Sequence, residues 1–365
     1  MLFFIFILST FLSLLFPKSK FMFYSYLFLL WFIAAFCTQC ADRDIYIARY
    51  FNYVGFQKQT EYGFNIIMLF FNSLKVPFDY FLMIIYGFIL GIYAWFIRNN
   101  TERFSFVLGL YGIFSYCIDM VQIRNSLGFT FVLIGIHQIL KNKIGKEEYV
   151  KFCFFVIIGS LIHFSNIFFL LFLLSNRVSI KKNFKVVIYT ALLLIIIAKA
   201  NLFQVLGEQV IGKKIDDILG RTIDYSSNQI KSMIIAVIIS FLLLISTIYI
   251  AYRNTKIASN EGSNEGKEKN EFVTLIMNSQ IMLFTTVLII PMMPDIYRIQ
   301  RYGILLNYLG CSKYEISDVN KKVMNSFFYN FLTIIISVLL FYLQIQKLGN
   351  FESTFMSLMT NNKFL

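Results

Sequence analysis

Uninterrupted apolar runs recur along this chain, from MLFFIFILSTFLSLLF at its start through FLMIIYGFILGIYAWFI and SMIIAVIISFLLLISTIYI. So many of them exceed what one water-soluble core can hide. Of the 365 residues 58% are hydrophobic and 15% charged, and the mean hydropathy of +0.67 lies outside the soluble range. A bilayer core about 30 Å thick takes about 20 apolar residues per helical span, so the runs read as many spans. They are continuous rather than alternating, which favours helices over a closed barrel. The expected fold is all-α, a polytopic integral membrane protein with about 11–12 transmembrane helices. The first run has no basic residues before it and no small-residue cleavage site after it, and reads as a retained span.

The formal net charge is +13. No compact basic soluble segment carries it, so no nucleic acid partner is expected. Lys and Arg in the loops of a membrane protein chiefly set orientation. The five cysteines are too scattered for a disulfide framework. Cys37 and Cys40 form a lone C-x-x-C without the second pair a zinc site needs, so neither a metal nor a cofactor is expected.

The expected spans are 1–16, 21–41, 77–97, 104–120, 125–140, 152–162, 165–174, 184–200, 232–252, 272–290, 297–310 and 323–343. Residues 152–174 read either as one span or as two broken at His163. Six short basic segments, beginning with PKSK and ending with CSKYEISDVNKK, fall on the cytoplasmic side together only with that break. The whole chain then reads as a single membrane domain with external loops at about 42–76 and 201–231 and a flexible cytoplasmic linker at about 253–271. In the first loop, EYGFNIIMLFFNSLK places Phe64, Ile67, Met68, Phe71 and Leu74 on one helical side, with Asn65 and Asn72 off it, as in an interfacial helix.

In this arrangement the ionisable residues that interrupt apolar sequence gather on the external side. They are Asp42, Asp44 and Glu61, then Asp119 and Arg124, then His163 in GSLIHFSNIFF, then Asp295, Arg298 and Arg301. Such groups are costly at membrane depth and usually face a watery cavity or a partner. Arg124, flanked by Gln122 and Asn125, reads as a site residue or as the ion-pair partner of Asp119. Arg298 and Arg301, at i and i+3, share a helix face, as pyrophosphate binders or as interface anchors. His163 reads as a site residue or a hydrogen-bonded core residue, and His137 as core. A planar guanidinium grips phosphate oxygens two at a time and keeps its charge, so several of them suit a lipid-linked diphosphate leaving group without a metal ion. A carboxylate or His near the acceptor hydroxyl would serve as general base.

At these residues the chain resembles the EpsG branch of the Wzy-type bacterial polysaccharide polymerases. ADRDIYIARYF is similar to the family's Gly-x-Asp with two following aromatic positions, which fall on Asp42, Tyr46 and Tyr50. EYGFNIIMLFF resembles its Glu-x-Gly-Phe segment, IRNSLGFTF its Ile-Arg-Gln-x-Leu-Ala segment, GSLIHFSNIFF its apolar-His-x-Ser segment and YRIQRYGILLNYL its late Arg-Tyr element. Cys40 stands where the family has Gly, and Asn125 where it has Gln. The resemblance implies an inverting, metal-independent glycosyltransferase of the bacterial cytoplasmic (inner) membrane, with its active site facing outward, serving exopolysaccharide, capsule or O-antigen synthesis. Its partners would be polyprenyl-diphosphate-linked oligosaccharide donor and acceptor, membrane lipids and a chain-length regulator. It assigns Arg124, Arg298 and Arg301 to the diphosphates, Asp42 or His163 to activation of the acceptor hydroxyl with Asp44 able to share that role, and Glu61 and Tyr46 to orienting sugar. Gln122 and Asn125 would line the same site.

Two other classes fit part of this inventory. A membrane-bound O-acyltransferase would use His163 with Asn125 upstream, but has little need of the arginines. A lipid-linked oligosaccharide flippase would scatter its polar residues at mid-depth rather than gather them near one surface.

Overall fold

In a computed structural model the described residues are 1–51, 62–140, 145–175, 185, 188–189, 192, 233–247, 264–289, 297–312, 319–347 and 350–364. They are helical, and the nearest approach to a strand among them is an isolated pairing of Cys37 with Asn362. The helices are α1 (Leu2–Leu15), α2 (Lys20–Ala35), α3 (Arg43–Phe51), α4 (Tyr62–Ser73), α5 (Phe78–Asn100), α6 (Phe104–Ile113), α7 (Tyr116–Val121), α8 (Ile123–Ile139) and α9 (Lys146–Ile162). A 3-10 segment, Phe164–Ser175, follows. Then come α10 (Met233–Thr247), α11 (Asn264–Phe284), α12 (Tyr297–Ser312) and α13 (Val319–Phe341). A tail of short helical turns, Phe351–Met356 and Ser357–Thr360, ends the described chain.

Among the described residues, Phe78–Asn100 and Asn330–Lys347 are long and apolar enough to cross a membrane, and several shorter helices are equally apolar. The outward faces carry large hydrophobic side chains at helical spacing. On α9 these are Val150, Phe154, Ile157 and Leu161; on α1 they are Phe4, Leu8, Phe11 and Leu15. Such stripes suit a surface bathed in lipid. Asp119, Asn125, Ser126 and Thr130 are buried instead.

The chain forms two compact units, residues 1–167 with 308–365, and residues 168–307. In the first unit the helices approach closely where small residues permit it. A Cβ on Gly159 would lie 2.5 Å from the Gly128 carbonyl oxygen, so α8 and α9 cross backbone to backbone there. Polar side chains tie further pairs: Thr10 of α1 and Tyr26 of α2 share a 2.7 Å hydrogen bond, and the Tyr116 hydroxyl donates to the Leu30 carbonyl at 2.6 Å. Ser19 caps the start of α2 by accepting from the Met22 amide.

The second unit holds α10, α11 and most of α12. Leu244, Met277, Ile281 and Met282 form an apolar cluster with Leu171 and Phe284 against it. Amide side chains cross-link its helices. Gln300 Nε2 donates to Thr286 Oγ1 at 2.8 Å, and Thr247 Oγ1 donates to Asn307 Oδ1 at 3.1 Å.

Three features differ from the sequence reading. The run 104–120 is not one helix: it stops at Ile113, and Ser115, at φ 89°, starts the separate turn of α7. Asn65 is buried beside Phe64 and Met68, whereas Ile66, Leu69, Phe70 and Leu74 are exposed. The apolar character of this segment therefore extends over its outer side, and its amide Asn65 points inward. Thirdly, α11 begins at Asn264, inside the stretch read as a linker. Glu and Lys are strong helix formers, so the same composition suits a helix. Residues 253–263 and the second external loop, 201–231, lie outside the described residues. The break at His163 is present, since α9 ends at Ile162 and His163 is extended, at φ −148° and ψ 117°.

Candidate functional site

Asp42 opens α3. Its carbonyl accepts the Tyr46 amide at 3.1 Å, and its φ of 66° is left-handed. Asp is among the few residues that tolerate this conformation, because its short polar chain can bond locally. The helical period then decides what shares its face. Tyr46 and Arg49, four and seven residues on, fall on the side of Asp42, and both are buried. Asp44 is turned about 200° around the helix from Tyr46 and is exposed.

The segment before Asp42 is held by the tail. The Thr38 amide donates to the Asn361 carbonyl at 2.7 Å, the Ala41 amide to Ser353 at 3.0 Å, and the Lys363 amide to Phe36 at 2.9 Å. Cys37, buried here, donates from Sγ to the Gln39 carbonyl at 3.3 Å. Arg43 faces elsewhere: its Nη2 meets Asp79 Oδ1 at 2.5 Å, fastening α3 to the start of α5.

Arg124 arrives from α8. Gln122, half-buried, is the joint between α7 and α8, and its carbonyl accepts both the amide and the hydroxyl of Ser126. This bend carries Arg124 to α3, where its guanidinium carbon lies 5.6 Å from the Tyr46 ring centre and within hydrogen-bonding reach of the Tyr46 hydroxyl. Burial raises the Tyr46 pKa, against the opposing pull of the Arg124 charge. Arg49 is close enough to feel the same group. Burial, and next the Arg124 charge, lower its pKa, while Tyr46 and Asp42 raise it. Asp42, Tyr46 and Arg49 thus share one side of α3, and Arg124 joins that cluster at Tyr46. Asp119, the other candidate partner of Arg124, accepts a 3.3 Å hydrogen bond from Tyr93.

His163 ends the helix that packs on α8. Its carbonyl accepts the amide of Asn166 at 3.0 Å and its side-chain Nδ2 at 3.2 Å. Ser165 Oγ donates to Asn125 Oδ1 at 3.3 Å, which joins the residue after Arg124 to the turn after His163. Gly63 brings α4 to the same place: a Cβ there would lie 2.8 Å from the Leu161 carbonyl carbon and oxygen. Phe64, next along, meets the Tyr46 ring at 5.8 Å between centroids. A continuous path of contacts thus runs from the end of α9 through α4 to Tyr46.

Arg298 and Arg301 belong to the second unit, on the first turns of α12. Arg301 is fully buried, with its guanidinium 4.8 Å from the Tyr302 ring centre, and Arg298 is half-buried. Glu61 and Asp295 lie outside the described residues. His137 is a packing residue, 4.8 Å from the Trp95 ring and 3.3 Å from Asn100 Nδ2. No group of three or more His, Cys, Asp or Glu among the described residues is placed to hold a metal ion. Arg49 is the member of the cluster that the sequence reading passed over. Its signal was the i, i+3 spacing from Tyr46 within IYIARYF.

The sequence model of the EpsG family matches residues 20–360, nearly the whole chain. The chain belongs to the EpsG family. This is a family of Wzy-like polysaccharide polymerases, polymerase-type glycosyltransferases, and membership together with the apolar helices makes the protein a membrane protein. No curated protein and no solved structure matches the chain.

Proposed function

We propose that this EpsG-family protein polymerises polyprenyl-diphosphate-linked oligosaccharide repeat units at the outer face of the bacterial cytoplasmic membrane. The observation that carries the reading is the meeting of Arg124 with Tyr46, on the helix that Asp42 opens, because two of the family's separate motifs converge there. In the reaction, an acceptor hydroxyl attacks the anomeric carbon of the donor glycan from the face opposite the diphosphate. The carbon–oxygen bond to the diphosphate breaks, and the departing polyprenyl diphosphate takes the electron pair. Arg124 balances the charge that grows on it, with Arg298 and Arg301 assigned to diphosphate as well. Asp42 or His163 receives the hydroxyl proton. Tyr46 and Glu61 orient sugar, Gln122 and Asn125 line the chamber, and Asp44, exposed on the far side of α3 from Tyr46, takes no part. No metal ion takes part in this scheme. The membrane topology of the proposal is multi-pass, with about 11–12 spans, the first external loop bearing α3 and α4.

A membrane-bound O-acyltransferase is a second reading, favoured by the Ser165–Asn125 hydrogen bond, which draws Asn125 toward the His163 turn. Deleting the gene in its host separates the two. Loss of a polymerase leaves single repeat units on lipid, whereas loss of an acyltransferase leaves full-length chains lacking an ester.

A further inference from the structure

Cys37 and Cys40 bracket an exposed bend, Thr38 and Gln39, between the end of α2 and the start of α3. Both are free thiols, Cys37 buried and Cys40 half-buried. The Cys37 thiol turns forward along the chain: its Sγ lies 3.3 Å from the Gln39 carbonyl oxygen, which belongs to the peptide bond entering Cys40. The bend thus folds one cysteine back toward the other, and the two thiols come within hydrogen-bonding reach. Neither carbonyl that the Cys37 thiol faces depends on it. The Gln39 oxygen also accepts from Asn361 Nδ2 at 3.3 Å, and the Ser357 oxygen, 3.7 Å from Cys37 Sγ, also accepts the Asn361 amide at 3.0 Å. Loss of the thiol proton therefore leaves neither backbone acceptor without a donor. The tail also holds both flanks of the bend, through the Thr38 and Ala41 amides, which keeps the two cysteines together.

We propose that Cys37 and Cys40 are an oxidisable pair that closes into a disulfide and staples the turn leading into Asp42. The oxidant is an external small-molecule disulfide. The thiolate of the half-buried Cys40 attacks one of its sulfurs, the sulfur–sulfur bond breaks, and one thiolate departs with the electron pair and takes up a proton. Cys37 then gives its proton to water and attacks the Cys40 sulfur of the mixed disulfide, expelling the second thiolate in the same way. Two cysteine thiols are oxidised, and one external disulfide is reduced to two thiols. The Cys40 carbonyl accepts the Arg43 amide at 3.2 Å, so the staple ends on the first turn of α3. A ring closed across the bend restricts the backbone just before the left-handed Asp42. The proposal rests on the polymerase reading only for placing this turn on the external side, and the chemistry of the pair is independent of polymer formation.

The test treats the full chain in lipid nanodiscs with oxidised glutathione, blocks the remaining thiols with N-ethylmaleimide, and maps the peptides by mass. In the wild type the peptide carrying both cysteines should lose two hydrogens and bear neither glutathione nor maleimide, and dithiothreitol should restore both labelling sites. Cys37→Ser should instead accumulate glutathione on Cys40, because no thiol is left to expel it. Cys40→Ser should leave the buried Cys37 largely unmodified. If either variant fails to fold, the wild-type masses decide. Closure should also raise the unfolding temperature of the wild type, and dithiothreitol should reverse the rise. A lasting glutathione adduct on Cys40 in the wild type, or maleimide on both cysteines after oxidation, would overturn the pair. An unfolding temperature unmoved by closure would overturn the staple. Closure in a folded protein that forms no polymer would count against the polymerase reading and leave the pair standing.

Discussion

The guanidinium of Arg124 stands over the ring of Tyr46, with 5.6 Å between the guanidinium carbon and the ring centre. The contact joins α8 to α3 and fixes an arginine that the bend at Gln122 has already aimed. Arg124→Lys keeps the charge but loses the planar fork, and is expected to reduce polymer formation about tenfold or more. The length distribution of the surface glycan on gels measures this, with protein abundance in the membrane as the control.

Tyr46→Phe keeps the ring beneath Arg124 and removes the hydroxyl that Arg124 reaches. Folding should be retained, with a fall in rate smaller than that of Arg124→Lys. Comparing thermal unfolding in detergent with polymer yield separates the two effects; a large loss of stability would make the hydroxyl a structural bond.

Gly159 faces the Gly128 backbone at a distance that admits no side chain. Gly159→Ala should force α8 and α9 apart at a cost of about 1–3 kcal/mol, as overpacked cores do. A lowered unfolding temperature in detergent is the expected result. Because Arg124 and His163 lie at the ends of these two helices, activity should fall along with stability.

Truncation before Asn350 removes the partners of Phe36, Thr38 and Ala41. The segment carrying Cys37, Cys40 and Asp42 should then become accessible. Faster modification of Cys37 by a thiol reagent, relative to the full chain, is the expected outcome; an unchanged rate would mean that the tail does not hold this segment.

Much of this was legible in the sequence because apolar length and the helical period act locally. The helices α1, α5, α8 and α9 follow from their runs, and the stop at His163 from the requirement that basic loops share a side. The break at Ser115 was not legible, because the residue that takes the positive φ is a serine and not a glycine. Asn65 was misplaced because an amphipathic pattern does not say which side faces lipid. Arg49 was missed because IYIARYF was read for its aromatic positions, while the cation on their face was left out. The stretch at 264–271 carries Glu and Lys, a composition shared by mobile linkers and exposed helices, so composition alone did not separate them.

The most direct measurement takes lipid-linked single repeat units extracted from a host lacking the gene and incubates them with the purified protein in nanodiscs. A polymerase should yield a ladder of lipid-linked oligomers, one polyprenyl diphosphate released for each bond formed, and little of either with Arg124→Gln. Single units returned unchanged by a folded wild-type protein, or a ladder formed equally well by Arg124→Gln, would contradict the polymerase reading.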